Sequence, residues 1–159
     1  MITLDIMVEA DAWSRAGDIE HIAQKAAEAA LAVAPDAQDE ALGATLLLTD
    51  DAAVRELNRS WRGQDKPTNV LSFPSGSPTL PGEPRHLGDI ALAYETLVRE
   101  AGEEGKSLAD HAAHLVVHGI LHLLGQDHMN EAEAETMERI EVAALARIGV
   151  ADPYRDLDA

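Results

Sequence analysis

His118-Gly119-Ile120-Leu121-His122-Leu123-Leu124-Gly125-Gln126-Asp127-His128 carries three histidines at the spacing H-x3-H-x5-H. Residues four apart share one face of a helix, with Cβ atoms roughly 5–6 Å apart. The imidazoles of His118 and His122 can therefore reach one ion. Gly125 tolerates a left-handed backbone and can end the helix. The chain then turns, and His128 can return as a third ligand. Neutral imidazole is a common zinc ligand, and three protein ligands with one open position describe a catalytic zinc. Taken singly, each histidine is as readily a packed or surface residue. The set of three around a helix-ending glycine reads as a site for one Zn2+.

The spacing H-x3-H-x2-G-x2-H is that of metzincin proteases, which place a glutamate general base directly after the first histidine. Gly119 stands there instead, so the metzincin peptidase mechanism is not expected.

Working outward, Ser107 and Asp110 resemble a capping box, which starts the histidine helix near Leu108 and carries it to Leu124. Leu115, Leu121 and Leu124 are expected in the core. On the C-terminal side, Asn130 with Glu133 signals another helix start. Met137, Ile140, Ala144, Leu145 and Ile148 then recur at helical spacing up to Gly149. On the N-terminal side, Ile2, Leu4, Ile6 and Val8 alternate with polar neighbours, the period-two pattern of a half-buried strand. Asp18 can cap a helix over 19–33. Ala44 to Leu48 reads as a buried strand, and a helix follows over 51–60. Val70 to Phe73 and Gly88 to Ala93 read as strands, separated by a proline-rich loop over 74–84. Tyr94 to Glu100 reads as a short helix ended by Gly102 and Gly105. This order argues for an α+β fold with a mixed sheet of about four strands packed with helices. The metal-binding helix is expected to be central, because its apolar residues outnumber its charges.

The 159 residues suit a single domain over 1–159, with a loose acidic end from 150 to 159. Cysteine is absent, which excludes a disulfide framework and any thiolate metal site. The first residues alternate instead of forming a basic and then apolar leader. No stretch nears the ~20 apolar residues of a membrane span. The expectation is a cytoplasmic protein with no membrane partner. The net charge of −17 repels nucleic acid overall, so any RNA role must rest on a local basic patch.

One such patch exists. Arg55, Arg59, Arg62 and Lys66 fall within twelve residues, with only Glu56 and Asp65 against them. Guanidinium binds phosphate through paired hydrogen bonds. Arg55 and Arg59 read equally well as ion-paired residues. Arg62 is expected in a loop beside Trp61 and Gly63, where binding residues concentrate, and is favoured for phosphate. An open metal position near such an arginine suggests phosphodiester cleavage.

Asp127 can assist the reaction or support a ligand imidazole. His114, one turn before His118, reads as packed or as supporting a ligand, with a fourth-ligand or proton-carrying role as the alternatives. His111 reads as packing or surface, His86 as a loop-border residue able to visit the cleft, and His21 as incidental. Asp89 reads as structural, with a place near the metal as the alternative.

The stretch from His114 to His128 resembles the signature of the YbeY family, bacterial metal-dependent endoribonucleases of ribosomal RNA maturation. Trp61-Arg62-Gly63-Gln64-Asp65-Lys66-Pro67-Thr68-Asn69-Val70-Leu71-Ser72-Phe73-Pro74 resembles that family's other marked segment, and Leu87-Gly88-Asp89-Ile90 also fits. The resemblance implies that His118, His122 and His128 bind zinc and that Arg62 serves RNA cleavage. It implies action on single-stranded RNA, in maturing the 3′ end of small-subunit (16S) rRNA and in ribosome quality control. Ribosomal RNA or the small ribosomal subunit, with ribosome-associated proteins, would be the partners. The rival readings are a non-enzymatic ribosome assembly factor with a structural zinc and a zinc hydrolase of peptides or small amides.

Overall fold

The computed structural model describes residues 2–34, 41–75, 83–125 and 131–154. Four strands form one mixed sheet: β1 (Ile2–Val8), β2 (Leu42–Thr49), β3 (Val70–Pro74) and β4 (Arg85–Ala93). Their order is β1-β2-β4-β3. β1, β2 and β4 run parallel, and β3 pairs antiparallel to β4 at the edge. The helices are α1 (Ile19–Val33), α2 (Asp51–Arg62), α3 (Tyr94–Glu104), α4 (Leu108–Leu123) and α5 (Glu131–Arg147).

Local chemistry explains most of the boundaries. The Asp18 carboxylate accepts from the His21 amide at the start of α1, and Ser107 accepts from the Asp110 amide at the start of α4. Each satisfies a backbone donor that the first helical turn leaves open. Asp50 does the same for α2 through the Ala53 amide at 2.8 Å. β2 lies inside the sheet between β1 and β4, and its burial alternates: Leu42, Ala44, Leu46 and Leu48 are buried, whereas Gly43, Thr45 and Leu47 are half-buried.

The two faces bury different sets. Leu46, Leu48, Ile90 and Leu92 join the large core beneath α1, α4 and α5. Leu71, Ala91 and Ala93 point the other way, with Val54 of α2, and form a smaller cluster that Phe73 partly covers. The period-two alternation of β4 thus feeds both cores from adjacent residues.

Several boundaries differ from the sequence expectation: β2 begins at Leu42 instead of Ala44, and β4 begins at Arg85 instead of Gly88. α2 continues two residues beyond Ser60, so Trp61 and Arg62 form its last turn and not a loop. Gly63, at φ 68°, ends it in the left-handed conformation. Gly102 lies inside α3, which continues to Glu104. A 3-10 helix over Asp11–Ala16, which no periodic pattern announces, buries Trp13. The stretch from Val150, expected to be loose, is docked at least as far as Tyr154. Residues 76–82 of the proline-rich segment, residues 126–130 and the last five residues lie outside the described residues.

Candidate functional site

α4 carries His111, His114, His118 and His122 at spacings of three, four and four, which is one continuous face of a helix. Their surroundings change along it. His111 is buried, and its Nε2–H donates to Glu100 of α3 at 2.9 Å. Burial holds its pKa below the usual value, although the bond to Glu100 works the other way. His118 and His122, at the other end, open onto a cleft. Their rings lie nearly parallel, with centroids 6.4 Å apart.

That cleft, of about 630 Å³, is lined by Trp61 and Arg62 of α2, by Thr68 and Asn69, by the edge strand β3, and by His118 and His122. The two segments singled out in the sequence therefore meet in space. Their meeting has a topological cause. β3 is the sheet edge, α2 covers one of its faces, and α4 packs against β3 and β4. The cleft borders the edge where these elements converge.

Of the four clustered cations, one lines the cleft. Arg55 pairs with Asp65 at 2.7 Å, and Arg59 pairs with Glu56. Both pairs are exposed. The Lys66 carbonyl accepts from Asn58, which pins the turn after α2, but Lys66 does not line the cleft. Arg62 does, and it makes no ion pair or side-chain hydrogen bond among the described residues. No carboxylate belongs to the described lining. Among the described residues, a chain of net charge −17 thus presents a wall with one guanidinium, two imidazoles and no acid.

Glu141 of α5 was not singled out by sequence reasoning. It is 1% exposed. Its Oε1 accepts from His114 Nε2 at 3.0 Å and from His118 Nδ1 at 3.1 Å, and the Tyr154 hydroxyl donates to it at 3.0 Å. Burial opposes its ionisation, but the hydrogen bonds from His114 and His118 prevail and hold its pKa down at about 2. Burial beside that charge pushes the Tyr154 phenol up. An ionised carboxylate can only accept, so His118 presents its N–H at Nδ1. Neutral His118 then keeps its lone pair at Nε2. His114 is committed to Glu141 and does not line the cleft. The signal for Glu141 was legible: it stands between Met137 and Leu145, four residues from each, on a stripe that is otherwise apolar and buried. A charge there requires partners.

Gly119 faces Ile90 of β4. A Cβ on Gly119 would lie 3.0–3.2 Å from three Ile90 side-chain atoms. The position after the first histidine therefore belongs to the α4–sheet contact, and any side chain there requires the Ile90 side chain to shift.

His86 hydrogen-bonds Thr45 at 3.2 Å, and neither it nor Asp89 lines the cleft. His21 is exposed on α1. Asp127 and His128 lie outside the described residues. Among the described residues no three His, Cys, Asp or Glu side chains form a complete ligand set. The donors present still fit a borderline divalent cation: two imidazoles one turn apart, one oriented by a buried carboxylate.

The whole chain has relatives. A sequence model of the family described as Endoribonuclease YbeY matches residues 8–149. The protein named Endoribonuclease YbeY from Rhodopseudomonas palustris strain BisA53 is 51% identical over 157 residues, which cover 97% of this chain and 91% of that protein. The protein of the same name from Bradyrhizobium sp. strain BTAi1 is 51% identical over 158 residues, covering 97% of this chain and 93% of its own length. The solution structure of TM1509 from Thermotoga maritima shares the fold, with a TM-score of 0.57 at 22% identity over 98% of this chain and 97% of that one. With a family model spanning most of its length and relatives at half identity, the chain belongs to the endoribonuclease YbeY family.

Proposed function

We infer that the chain is a metal-dependent endoribonuclease that cuts single-stranded RNA in the cleft beside α4. The observation that carries this reading is the meeting of Arg62, His118 and His122 in one cleft whose described lining has no carboxylate. A phosphodiester is an anion. It is favoured where a guanidinium is unpaired and acids are absent.

His118, His122 and His128 would hold one Zn2+, with Glu141 fixing the tautomer of His118. When bound, the ion supplies a Lewis acid beside the scissile phosphate. Arg62 binds that phosphate, orients it and spreads the charge that develops on it. Arg55, Arg59 and Lys66 stand nearby as further contacts for the strand, the first two after release from their ion pairs. Asp127 supports a ligand imidazole. With Gly119 buried against Ile90, no side chain at that position acts as general base.

The natural substrate on this reading is ribosomal RNA, at the 3′ end of the small-subunit molecule and in ribosome quality control. The net charge of −17 supports recognition inside a ribosomal particle or with a ribosome-associated protein, because the surface as a whole repels free RNA. The protein would act in the cytoplasm as one domain; no described helix is long and apolar enough to cross a membrane.

The test is cleavage of a single-stranded RNA by zinc-loaded protein, by EDTA-treated protein and by Arg62→Ala. Cutting by the first alone supports the assignment. Intact RNA in all three, or equal cutting by Arg62→Ala, overturns it.

A further inference from the structure

Trp61 is 71% exposed, whereas the chain's other tryptophan, Trp13, is 1% exposed and donates its Nε1–H to the Thr49 carbonyl. Single exposed apolar side chains are ordinary on protein surfaces, so exposure alone decides nothing. Position does. Trp61 lies in the last turn of α2 beside Arg62, and both line the cleft that holds His118 and His122. Phe73 of β3 backs the indole, with ring centroids 5.7 Å apart and planes inclined by 47°. That contact steadies the ring without covering it. Trp61 makes no hydrogen bond among the described residues, so the fold leaves its indole N–H unused.

A flat aromatic surface next to an unpaired guanidinium matches a nucleotide, which has a flat base and an anionic phosphate. The lack of carboxylates in the described lining favours the same ligand. An apolar peptide segment would use the indole but would have no need of Arg62.

We propose that Trp61 is a stacking platform for one unpaired nucleobase of the RNA strand, adjacent to the phosphate that Arg62 binds. This rests on the nuclease reading and adds to it a base subsite. Stacking requires a base free of its complement, because a paired base has both faces covered by its neighbours in the duplex. The platform therefore selects single strands. It does so with little regard to sequence, since every base has a π-face.

The experiment uses the full chain and a single-stranded RNA oligonucleotide kept uncut by EDTA. Binding is followed by tryptophan fluorescence and, independently, by anisotropy of a dye on the RNA. An abasic oligonucleotide of equal length is the comparison. The expected result is quenching by the base-bearing strand and little by the abasic one. Quenching should vanish in Trp61→Phe, because Trp13 is buried, while binding by anisotropy largely persists. Trp61→Ala should bind about tenfold or more weakly. Trp61→Ala that binds as tightly as the parent, or an abasic strand that binds as well as the base-bearing one, overturns the platform. If the parent also cuts RNA with metal restored, the nuclease reading survives that failure. A parent that neither binds nor cuts any RNA overturns both.

Discussion

At the scale of single residues, Arg62 and Glu141 do opposite things with charge. Arg62 is exposed and unpaired among the described residues, so its removal should cost the fold little. Arg62→Ala is expected to melt within a degree or two of the parent and to lose about a hundredfold or more in RNA cleavage, in the range of losing one preorganised donor to a developing charge. Arg62→Lys should recover only part of the loss, because an ammonium cannot offer a paired fork. Glu141 is buried and holds His114, His118 and Tyr154 together. Glu141→Gln can accept but carries no charge, and its zinc affinity by chelator competition is expected to fall about 10–100-fold. Unchanged affinity would mean that the carboxylate serves packing alone.

The two residues were unequally legible. Arg62 stands in a stretch with four cations and two acids, and a charge excess is visible without coordinates. Its helical setting was not visible, because Gly63 and not Ser60 ends α2. Glu141 interrupts an apolar stripe, which announces a buried charge. Which side chains answer it could not be read, because two belong to α4 and the third, Tyr154, follows α5.

At the scale of elements, the approach of α4 to β4 decides what position 119 can be. Gly119→Val places methyl groups where Ile90 already sits. Overpacking of this kind costs about 1–3 kcal/mol, offset only by the roughly 0.3 kcal/mol by which valine exceeds glycine in helix propensity. Urea denaturation should therefore show a less stable variant with an unchanged slope.

A second link ties α3, α4 and the cleft. His111 donates to Glu100, which also accepts from Asn69 at 3.0 Å, and Asn69 lines the cleft. The pKa of His111 is held below its ordinary 6.5, first by burial. The unfolded chain therefore binds the proton more readily, and the neutral ring stabilises the fold above about pH 6.5. That stability is lost as pH falls below this value and through the lower folded pKa. His111→Gln should flatten the fall in melting temperature between pH 7.5 and 5; an equally steep fall would remove His111 as its source. The caps at Asp18 and Ser107 were readable because their partners lie three residues away. The link from Asn69 to His111 was not, because 42 positions separate them and the fold alone unites them.

At the scale of the whole molecule, strand order could not be read from composition or period. β4 inserts between β2 and β3, which leaves β3 at the edge and lets α2 and α4 approach from either side. That insertion turns two distant motifs into one cleft. It also places Arg62, unpaired among the described residues, in that cleft, in a chain of net charge −17. RNA binding should weaken only shallowly with added salt, because few phosphates are neutralised and salt also screens the repulsion from the acidic surface; a slope as steep as that of a protein making many phosphate contacts would contradict it.

His118 and His122, with His128, are expected to hold one divalent ion beside Arg62. Anomalous diffraction at the zinc edge from zinc-equilibrated crystals tests it most directly. The expected result is a single strong peak in the cleft, about 2.0–2.1 Å from Nε2 of His118 and from a ring nitrogen of each of the other two. A cleft without a peak at full zinc loading, or a peak that leaves His118 and His122 uncoordinated, would contradict it.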